Sequence, residues 1–420
     1  EIEELGLLKM DFLGLRTLTV IRDAETAVQK HHPEFSIQKL DYDDPETYKM
    51  LGQGDTEGVF QLESSGMKQV LVGLQPQNLE DVIALIIPTY LRNRHEPDKI
   101  SYKTPQLAHI LDVTNGCIVY QEQVMQIFRE LAGFSFGQAD NVRRAMSKKK
   151  HAVMEAEREH FVHGCTEPGH ECPGCVANGI SEEVANEIYD EMSSFASYAF
   201  NKSHAACYAY VAFQTAYLKC HYPSEFMAAL LTSVLDNTDK VIEYSGECAR
   251  LGIKVLPPDV NVSNGGFTAD GSGQIRFGLN AVKNVGRNLI ENVVKGRQNK
   301  PYTSLYDFCK RMHGNELNRR AVECLIKAGA FDRLGNNRHS HVEAVEGILK
   351  SIETDTRRNL DGQLDLFSVM SGGERDAAQE DRYEIRQLPE YSHTELLQQE
   401  KEVSGLYLSG HPLDAYREQS

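Results

Sequence analysis

Between residues 45 and 221 apolar side chains recur every three or four positions, and that spacing commits the middle of the chain to α-helices. The clearest case is residues 120–133. There Val124, Ile127, Phe128 and Leu131 fall on one face and Gly133 ends the run, as glycine ends an amphipathic helix. A shorter helix is expected over 138–146, running into Ser147-Lys148-Lys149-Lys150. Another is expected over 203–221, capped by Ser203 and halted before Pro223. Helices of this kind must bury their apolar faces against one another, so the fold class is mainly α with a helical module at its centre.

The flanks read differently. Residues 7–13 suggest a strand, joined at Gly14 to a helix from about Thr17, a small α/β remnant. Leu256-Pro257-Pro258-Asp259 marks a boundary, and Gly265-Gly266 with Asp270-Gly271-Ser272-Gly273 flank short strands such as 274–278. The following region is helical to about Ile352. Residues 354–379 then turn polar and read as an exposed loop with one apolar island, 364–367.

With 41% hydrophobic residues, whole-chain disorder is excluded. There is no run of roughly 18 apolar residues and no basic start with an apolar core, so no membrane partner is expected and the expected address is the cytoplasm. Nine cysteines in contexts such as Asn115-Gly116-Cys117-Ile118 read as reduced thiols. The first residue is Glu1 rather than Met, so a piece of a longer protein is expected.

A net charge of −17 argues against a polyanionic partner until its distribution is read. Residues 90–150 hold ten basic side chains against six acidic, and residues 276–333 hold twelve against five. The last eighty residues hold eight basic and seventeen acidic side chains. Two basic islands on an acidic chain suit local grip on phosphates without indiscriminate nucleic-acid binding.

Asp11 interrupts an apolar strand, where an unpaired charge would cost several kcal/mol. A divalent metal compensates such a carboxylate, as does a salt bridge or a helix cap. Arg143, Arg144, Lys148, Lys149 and Lys150 form the densest basic cluster and suit a triphosphate or backbone phosphates. Asn201, Lys202, Ser203 and His204 put an amide, a cation, a hydroxyl and an imidazole at a helix start, with Tyr198, Tyr208 and Tyr210 close by. Cys165, Cys172 and Cys175 with His163 or His170 can make a four-ligand zinc site, or a reduced hairpin insertion.

Residues 278–290 fit a helix-hairpin-helix, two helices joined by a turn whose N–H groups meet a phosphate. Lys283, Asn284, Val285, Gly286 and Arg287 lie at the turn. Asn284 stands where glycine is usual, and asparagine tolerates the left-handed conformation. A weaker copy over 317–331 carries Arg319 and Arg320. Gln363, Leu364, Asp365, Leu366 and Phe367 form a polar anchor with apolar plugs in an acidic loop, which calls for a receiving pocket.

Five blocks in order, Lys9-Met10-Asp11-Phe12-Leu13-Gly14-Leu15, Val59-Phe60-Gln61-Leu62-Glu63-Ser64, Tyr120-Gln121-Glu122-Gln123-Val124-Met125, Arg143-Arg144-Ala145-Met146 and Phe200-Asn201-Lys202-Ser203-His204, resemble the family C replicative DNA polymerases, the bacterial polymerase III alpha subunits. The resemblance runs on to Leu406-Tyr407-Leu408-Ser409-Gly410-His411-Pro412. It implies the end of a palm over 1–34, fingers over 35–260, a tandem helix-hairpin-helix and sliding-clamp-binding domain over 261–375, and over 376–420 a linker toward a C-terminal OB-fold absent here.

By the same resemblance Asp11 is one of three aspartates holding two Mg²⁺, the other two lying upstream, so this chain alone should not polymerise. Arg143, Arg144, Lys148, Asn201 and Lys202 face a deoxynucleoside triphosphate, and Ser203 and His204 lie against its sugar. Residues 283–287, Arg319 and Arg320 grip primer-template DNA, and 363–367 enter the sliding clamp. Other replicase subunits complete the partners.

Two departures from the family stand out. An Arg-Pro-Gly-Pro loop is expected after Leu85, yet Pro88-Thr89 follows almost at once, so missing residues and a chain break are expected between Leu85 and Pro88. The cysteine hairpin near 163–178 is the other. Two rivals remain at this stage: a non-enzymatic scaffold that binds DNA and clamp, and a zinc-dependent regulatory module on Cys165, Cys172 and Cys175.

Overall fold

The structure, a computed structural model, describes residues 14–83, 88–147, 151–196, 201–360, 383–410 and 412. It is mainly α, with one small sheet. The chain forms two compact units, Leu40–Cys220 on the one hand and Glu1–Lys39 with His221–Ser420 on the other. Pro223 starts a new helix whose packing partner is the N-terminal helix, which puts both in the same unit.

That N-terminal helix, α1 (Arg16–Val28), buries Val20, Ile21, Ala24 and Val28, a stripe at helical spacing. Burying Val20, Ile21 and Val28 contributes about 1.5–3 kcal/mol each. The strand expected over 7–13, and Asp11 with it, lies outside the described residues.

In the unit of residues 40–220 the helices are α2 (Pro45–Gly52), α3 (Ser65–Leu74), α4 (Leu79–Ile83), α5 (Pro88–His95), α6 (Ala108–Leu111), α7 (Gln121–Ala132), α8 (Phe136–Ser147), α9 (His151–His163), α10 (Gly174–Ala177), α11 (Glu182–Ala196) and α12 (Lys202–His221). One core gathers Phe128, Phe161, Tyr189 and Met192 from α7, α9 and α11. A second gathers Tyr48, Leu51, Leu71, Tyr120 and Phe213 around α2, α3 and α12. Asp81, 2% exposed, accepts from the Gln77 N–H at 2.9 Å, the Tyr90 hydroxyl at 3.0 Å and Arg94 Nε at 3.0 Å, tying α4 to α5. The expected break between Leu85 and Pro88 lies outside the described residues.

Helix α7 behaves as its apolar spacing predicts. Val124, Ile127, Phe128 and Leu131 are buried, and Gly133 closes the helix at φ 75°. Helix α12 begins at Lys202 and is capped by the Asn201 side chain, which accepts from the His204 N–H at 2.9 Å, so Asn201 and not Ser203 is the cap. Near its other end Lys219 has a fully buried side chain. Its ammonium donates to the Asp55 carbonyl and Oδ1, both at 3.2 Å, and to the Glu57 carbonyl at 3.0 Å.

The other unit continues through α13 (Pro223–Ser233) and α14 (Thr238–Arg250) to a three-stranded sheet in the order β1-β3-β2. Strand β1 (Val255–Leu256) runs parallel to β3 (Ile275–Arg276), pairing Val255 with Ile275, and β2 (Thr268–Ala269) runs antiparallel to it, pairing Thr268 with Arg276. Helices α15 (Arg287–Asn299), α16 (Leu305–Met312), α17 (Arg319–Lys327), α18 (Arg338–Leu360) and α19 (His393–Ser404) follow. Residues 354–360 continue α18 instead of opening a loop, with the Thr354 and Thr356 hydroxyls bonded to carbonyls four residues back at 2.8 Å each.

Arg338 and Glu400 knit the C-terminal part together. Arg338 donates to Glu400 at 2.9 Å and to Asp332 at 2.7 and 2.9 Å. Glu400, fully buried, also accepts from the Leu408 and Ser409 N–H groups at 2.8 and 2.9 Å. Glu390 accepts from the Arg338 and His339 N–H groups at 3.0 and 3.1 Å, capping α18 from the returning segment.

Candidate functional site

The first turn of α7 organises one end of the 40–220 unit. Gln123 is buried, and its Oε1 accepts from the Val119 N–H at 2.8 Å and the Tyr120 N–H at 3.0 Å. Its amide donates to the Ile110 carbonyl at 3.1 Å and to Thr114 Oγ1 at 2.8 Å. All four bonds of that amide group are made, so the turn is rigidly seated.

From this seat Gln121 and Glu122 reach outward to the two predicted nucleotide-binding segments. Gln121 Oε1 accepts from Arg143 Nη1 at 2.7 Å. Glu122 accepts from the backbone N–H of Lys202 with both carboxylate oxygens, at 3.0 and 3.2 Å. The Lys202 ammonium lies 5.0 Å from the centre of the Tyr120 ring and 3.7 Å from Glu80. Burial, with Glu80 and Glu122 adding, pushes the Tyr120 phenol well above its usual range. That hydroxyl is buried and has no hydrogen-bond partner among the described residues. His204 packs its ring on Tyr208 at 4.3 Å, and Tyr208 lies 5.3 Å from Phe60.

The basic cluster is partly neutralised within itself. Asp140 accepts from Arg143 at 2.8 Å and from Arg144 at 2.8 Å, and the Arg143 bond holds its carboxyl below the usual range. The fixed charge left by these three side chains is therefore one positive unit. Arg143 is held from two sides while Arg144, 65% exposed at its side chain, reaches solvent. Lys148 lies outside the described residues, as do Lys149 and Lys150. Asp140 sits three and four residues before the arginines, a spacing visible in the sequence; Gln121 and Glu122 carried no signal beyond their block.

The cysteine hairpin is a built element. Cys165 and Cys172 face each other across an antiparallel bridge, exchanging N–H···O bonds of 2.9 Å each way. A Cβ on Gly164 or Gly174 would clash with the other arm's backbone, and one on Gly133 would meet the Pro173 ring at 2.5 Å, so the hairpin is clamped to the end of α7. Cys175 is buried in the core beside Phe128 and Phe161, and burial pushes its thiol up to about 12. Burial raises Cys172 as well. Among the described residues Cys165, Cys172, Cys175 and His170 do not bring three ligand atoms within 4.8 Å of one another. The arrangement is a hairpin with Cys172 and Cys175 buried in the core and Cys165 packed against it.

In the other unit, the segment expected as the first helix-hairpin-helix starts with a single 3-10 turn, Leu279–Ala281, and not with a full helix. The turn itself is as expected. Asn284 takes φ 63°, Gly286 precedes α15, and Val285 lies between them. Lys283 is tied to α19, its N–H to the Val403 carbonyl and its ammonium to the Glu402 carbonyl, 2.9 Å each. Arg287 pairs with Asp236 at 2.8 Å. The second copy, expected over 317–331, holds α17, capped by Asn318 through the Ala321 N–H at 2.9 Å, and the turn Ala328-Gly329-Ala330 with Gly329 at φ 86°. Arg319 pairs with Glu323 and Glu346 at 2.6 Å each, and Arg320 is exposed.

Part of the basic island is structural. Arg297 donates to the carbonyls of Val260 at 3.0 Å and Val262 at 3.1 Å and to Asn264 at 2.8 Å. It holds a turn and offers little to a phosphate. Residues 363–367 lie outside the described residues.

One unit thus holds a seated turn joining an arginine to a helix start, and the other an asparagine-turned segment opening on a 3-10 turn. Comparison with known proteins gives the class, a finger module followed by a helix-hairpin-helix domain. Residues 17–169 match the bacterial DNA polymerase III alpha subunit finger domain, and 252–341 match a helix-hairpin-helix motif. The chain is 40% identical over its full length to the DNA polymerase III subunit alpha of Bacillus subtilis (strain 168), 43% over its full length to that of Xylella fastidiosa (strain Temecula1 / ATCC 700964), and 43% over 99% of its length to that of Thermus aquaticus. By these matches the chain belongs to the bacterial DNA polymerase III alpha subunit family. It spans 37%, 35% and 34% of those three relatives. Among the described residues no helix is long and apolar enough to cross a membrane.

Proposed function

We propose that this chain supplies the fingers and the duplex-gripping domain of a cytoplasmic DNA-directed DNA polymerase. The reaction is template-directed attack of a primer 3′-hydroxyl on the α-phosphate of a deoxynucleoside triphosphate, with pyrophosphate leaving. The observation that carries this reading is the convergence of Arg143 and the Lys202 turn on one seated turn of α7, since both segments were assigned to the triphosphate independently of any contact between them. Arg143 and Arg144 meet phosphate oxygens, exchanging part of the Asp140 pairing for the ligand. Asn201, Lys202, Ser203 and His204 present the helix start and a ring to the sugar, and Lys148 adds a further cation.

Lys283, Asn284, Val285, Gly286 and Arg287, with Arg319 and Arg320, take the duplex backbone. The Arg287 and Arg319 ion pairs are exposed and therefore cheap to exchange for phosphate. Gln363, Leu364, Asp365, Leu366 and Phe367 enter the sliding clamp, and other replicase subunits complete the assembly. Asp11 would help hold magnesium, which when bound would supply Lewis-acid activation of the 3′-hydroxyl and charge neutralisation at the phosphate.

The test joins this chain to the upstream palm segment of its family and measures primer extension. Arg143→Ala should raise the KM for deoxynucleoside triphosphate, and Asp11→Asn should abolish extension. Unchanged nucleotide KM in the first variant would sink the nucleotide assignment, and retained extension in the second would remove Asp11 from the metal site.

A further inference from the structure

Gln121 and Glu122 have no assigned part in the reaction, yet each is the link between the seated turn and one arm of the site. Glu122 gives both carboxylate oxygens to a single backbone N–H, that of Lys202, the first residue of α12. A carboxylate on a helix's first N–H makes a charge-assisted bond aligned with the helix dipole. Downstream, α12 is held by burial of Ala209, Ala212, Phe213 and Ala216 and by the Lys219 contacts. Upstream of Ala209 the side chains of Ser203, His204 and Cys207 are exposed, so little packing holds the first turn in register. Its orientation depends on Glu122, on the Asn201 cap and on the Lys202 side chain over Tyr120 and beside Glu80; of these Glu122 alone ties the turn's backbone to α7.

We propose that Glu122 is a positioning residue for nucleotide binding: through the Lys202 N–H it fixes the first turn of α12, and with it Lys202, Ser203 and His204, against the arginine that Gln121 holds. This rests on the nucleotide-site reading above. Glu122 touches no substrate; its effect passes through the backbone of Lys202. Removing it leaves the core of α12 intact and lets the first turn drift, so the consequence falls on nucleotide affinity and not on folding.

The experiment uses the polymerase polypeptide that carries this segment, with Glu122→Ala, Glu122→Gln and, as a control, Arg143→Ala. Glu122→Ala should raise the KM for deoxynucleoside triphosphate about tenfold, as loss of a charge-assisted bond does. The KM for primer-template should stay within about twofold, since the duplex-binding residues are on other elements, and the thermal midpoint should be unchanged. Glu122→Gln keeps one neutral acceptor and should raise the nucleotide KM only about threefold; it carries the test if the alanine variant folds poorly. A nucleotide KM unchanged or lowered in both Glu122 variants, while Arg143→Ala raises it, would overturn the positioning role alone. An unchanged KM in Arg143→Ala would overturn the nucleotide-site reading and this inference with it.

Discussion

Replacing Gln123 by leucine deletes four hydrogen bonds while keeping the volume of a buried side chain. The Val119 and Tyr120 N–H groups lose their acceptor and the Ile110 carbonyl loses a donor, whereas the Thr114 hydroxyl keeps the Cys117 carbonyl at 2.6 Å. Three buried backbone groups without partners cost about 1–3 kcal/mol each, and the leucine recovers about 1–2 kcal/mol by transfer from water. The net loss is about 1–8 kcal/mol, concentrated in residues 110–123. A chain of two units need not unfold in one step, so the informative assay is local: hydrogen exchange of the intact chain, followed on peptides covering 110–125. Each 1.4 kcal/mol is about tenfold in protection, so exchange at Val119 and Tyr120 should accelerate at least about fivefold, while peptides from α18 should not change. Acceleration below about threefold would mean that the amide is not the organiser of this turn.

Three further outcomes follow from buried or strained groups. Lys219→Met removes a buried ammonium from Asp55 and two carbonyls; because Asp55 is 23% exposed, the cost falls to about 2–4 kcal/mol, read as a lowered urea midpoint. His341 is 1% exposed, and burial holds its pKa below 6.5 against the opposing pull of Asp332 and Glu390. The unfolded chain therefore takes up the proton first, so stability from this residue is complete above about pH 6.5 and is lost as pH falls below it; thermal midpoints from about pH 7.5 to 5.5 should drop less in His341→Phe than in the unaltered chain. Asn284→Ala places a Cβ residue without a local polar partner at φ 63° and should cost about 1 kcal/mol in chemical denaturation, whereas Asn284→Gly should stay within about 0.5 kcal/mol.

The parts of this molecule that were legible in the sequence are those governed by spacing. Val124, Ile127, Phe128 and Leu131 declared the buried face of α7 because burial of an amphipathic helix repeats with the helix turn, and Gly133 declared its end because the left-handed cap has few other occupants. Asn284 was readable for the same reason, a backbone geometry that admits few residue types. What escaped was polar and long-range. Lys219 looks like a surface cation in a helix buried on several sides, and only the loop carrying Asp55 and Glu57, 162–164 positions away, explains why it is inside. Arg297 raised the apparent basicity of its island, yet it is engaged by carbonyls and by Asn264.

The site shows the same division. Residue types nominated Arg143 and the 201–204 turn, but type alone cannot state that two cationic segments converge, since that depends on a third segment separate from both in sequence. Gln121, Glu122 and Gln123 are three consecutive polar residues that a pattern reading treats as the wet start of a helix. In the fold each has a different destination: Arg143, the start of α12 and the 110–120 loop. Successive residues on a helix diverge by about 100°, so one turn bearing three polar side chains can address three neighbours at once. A rigid seat under that turn is what converts three separate contacts into a fixed distance between the arginine and the helix start.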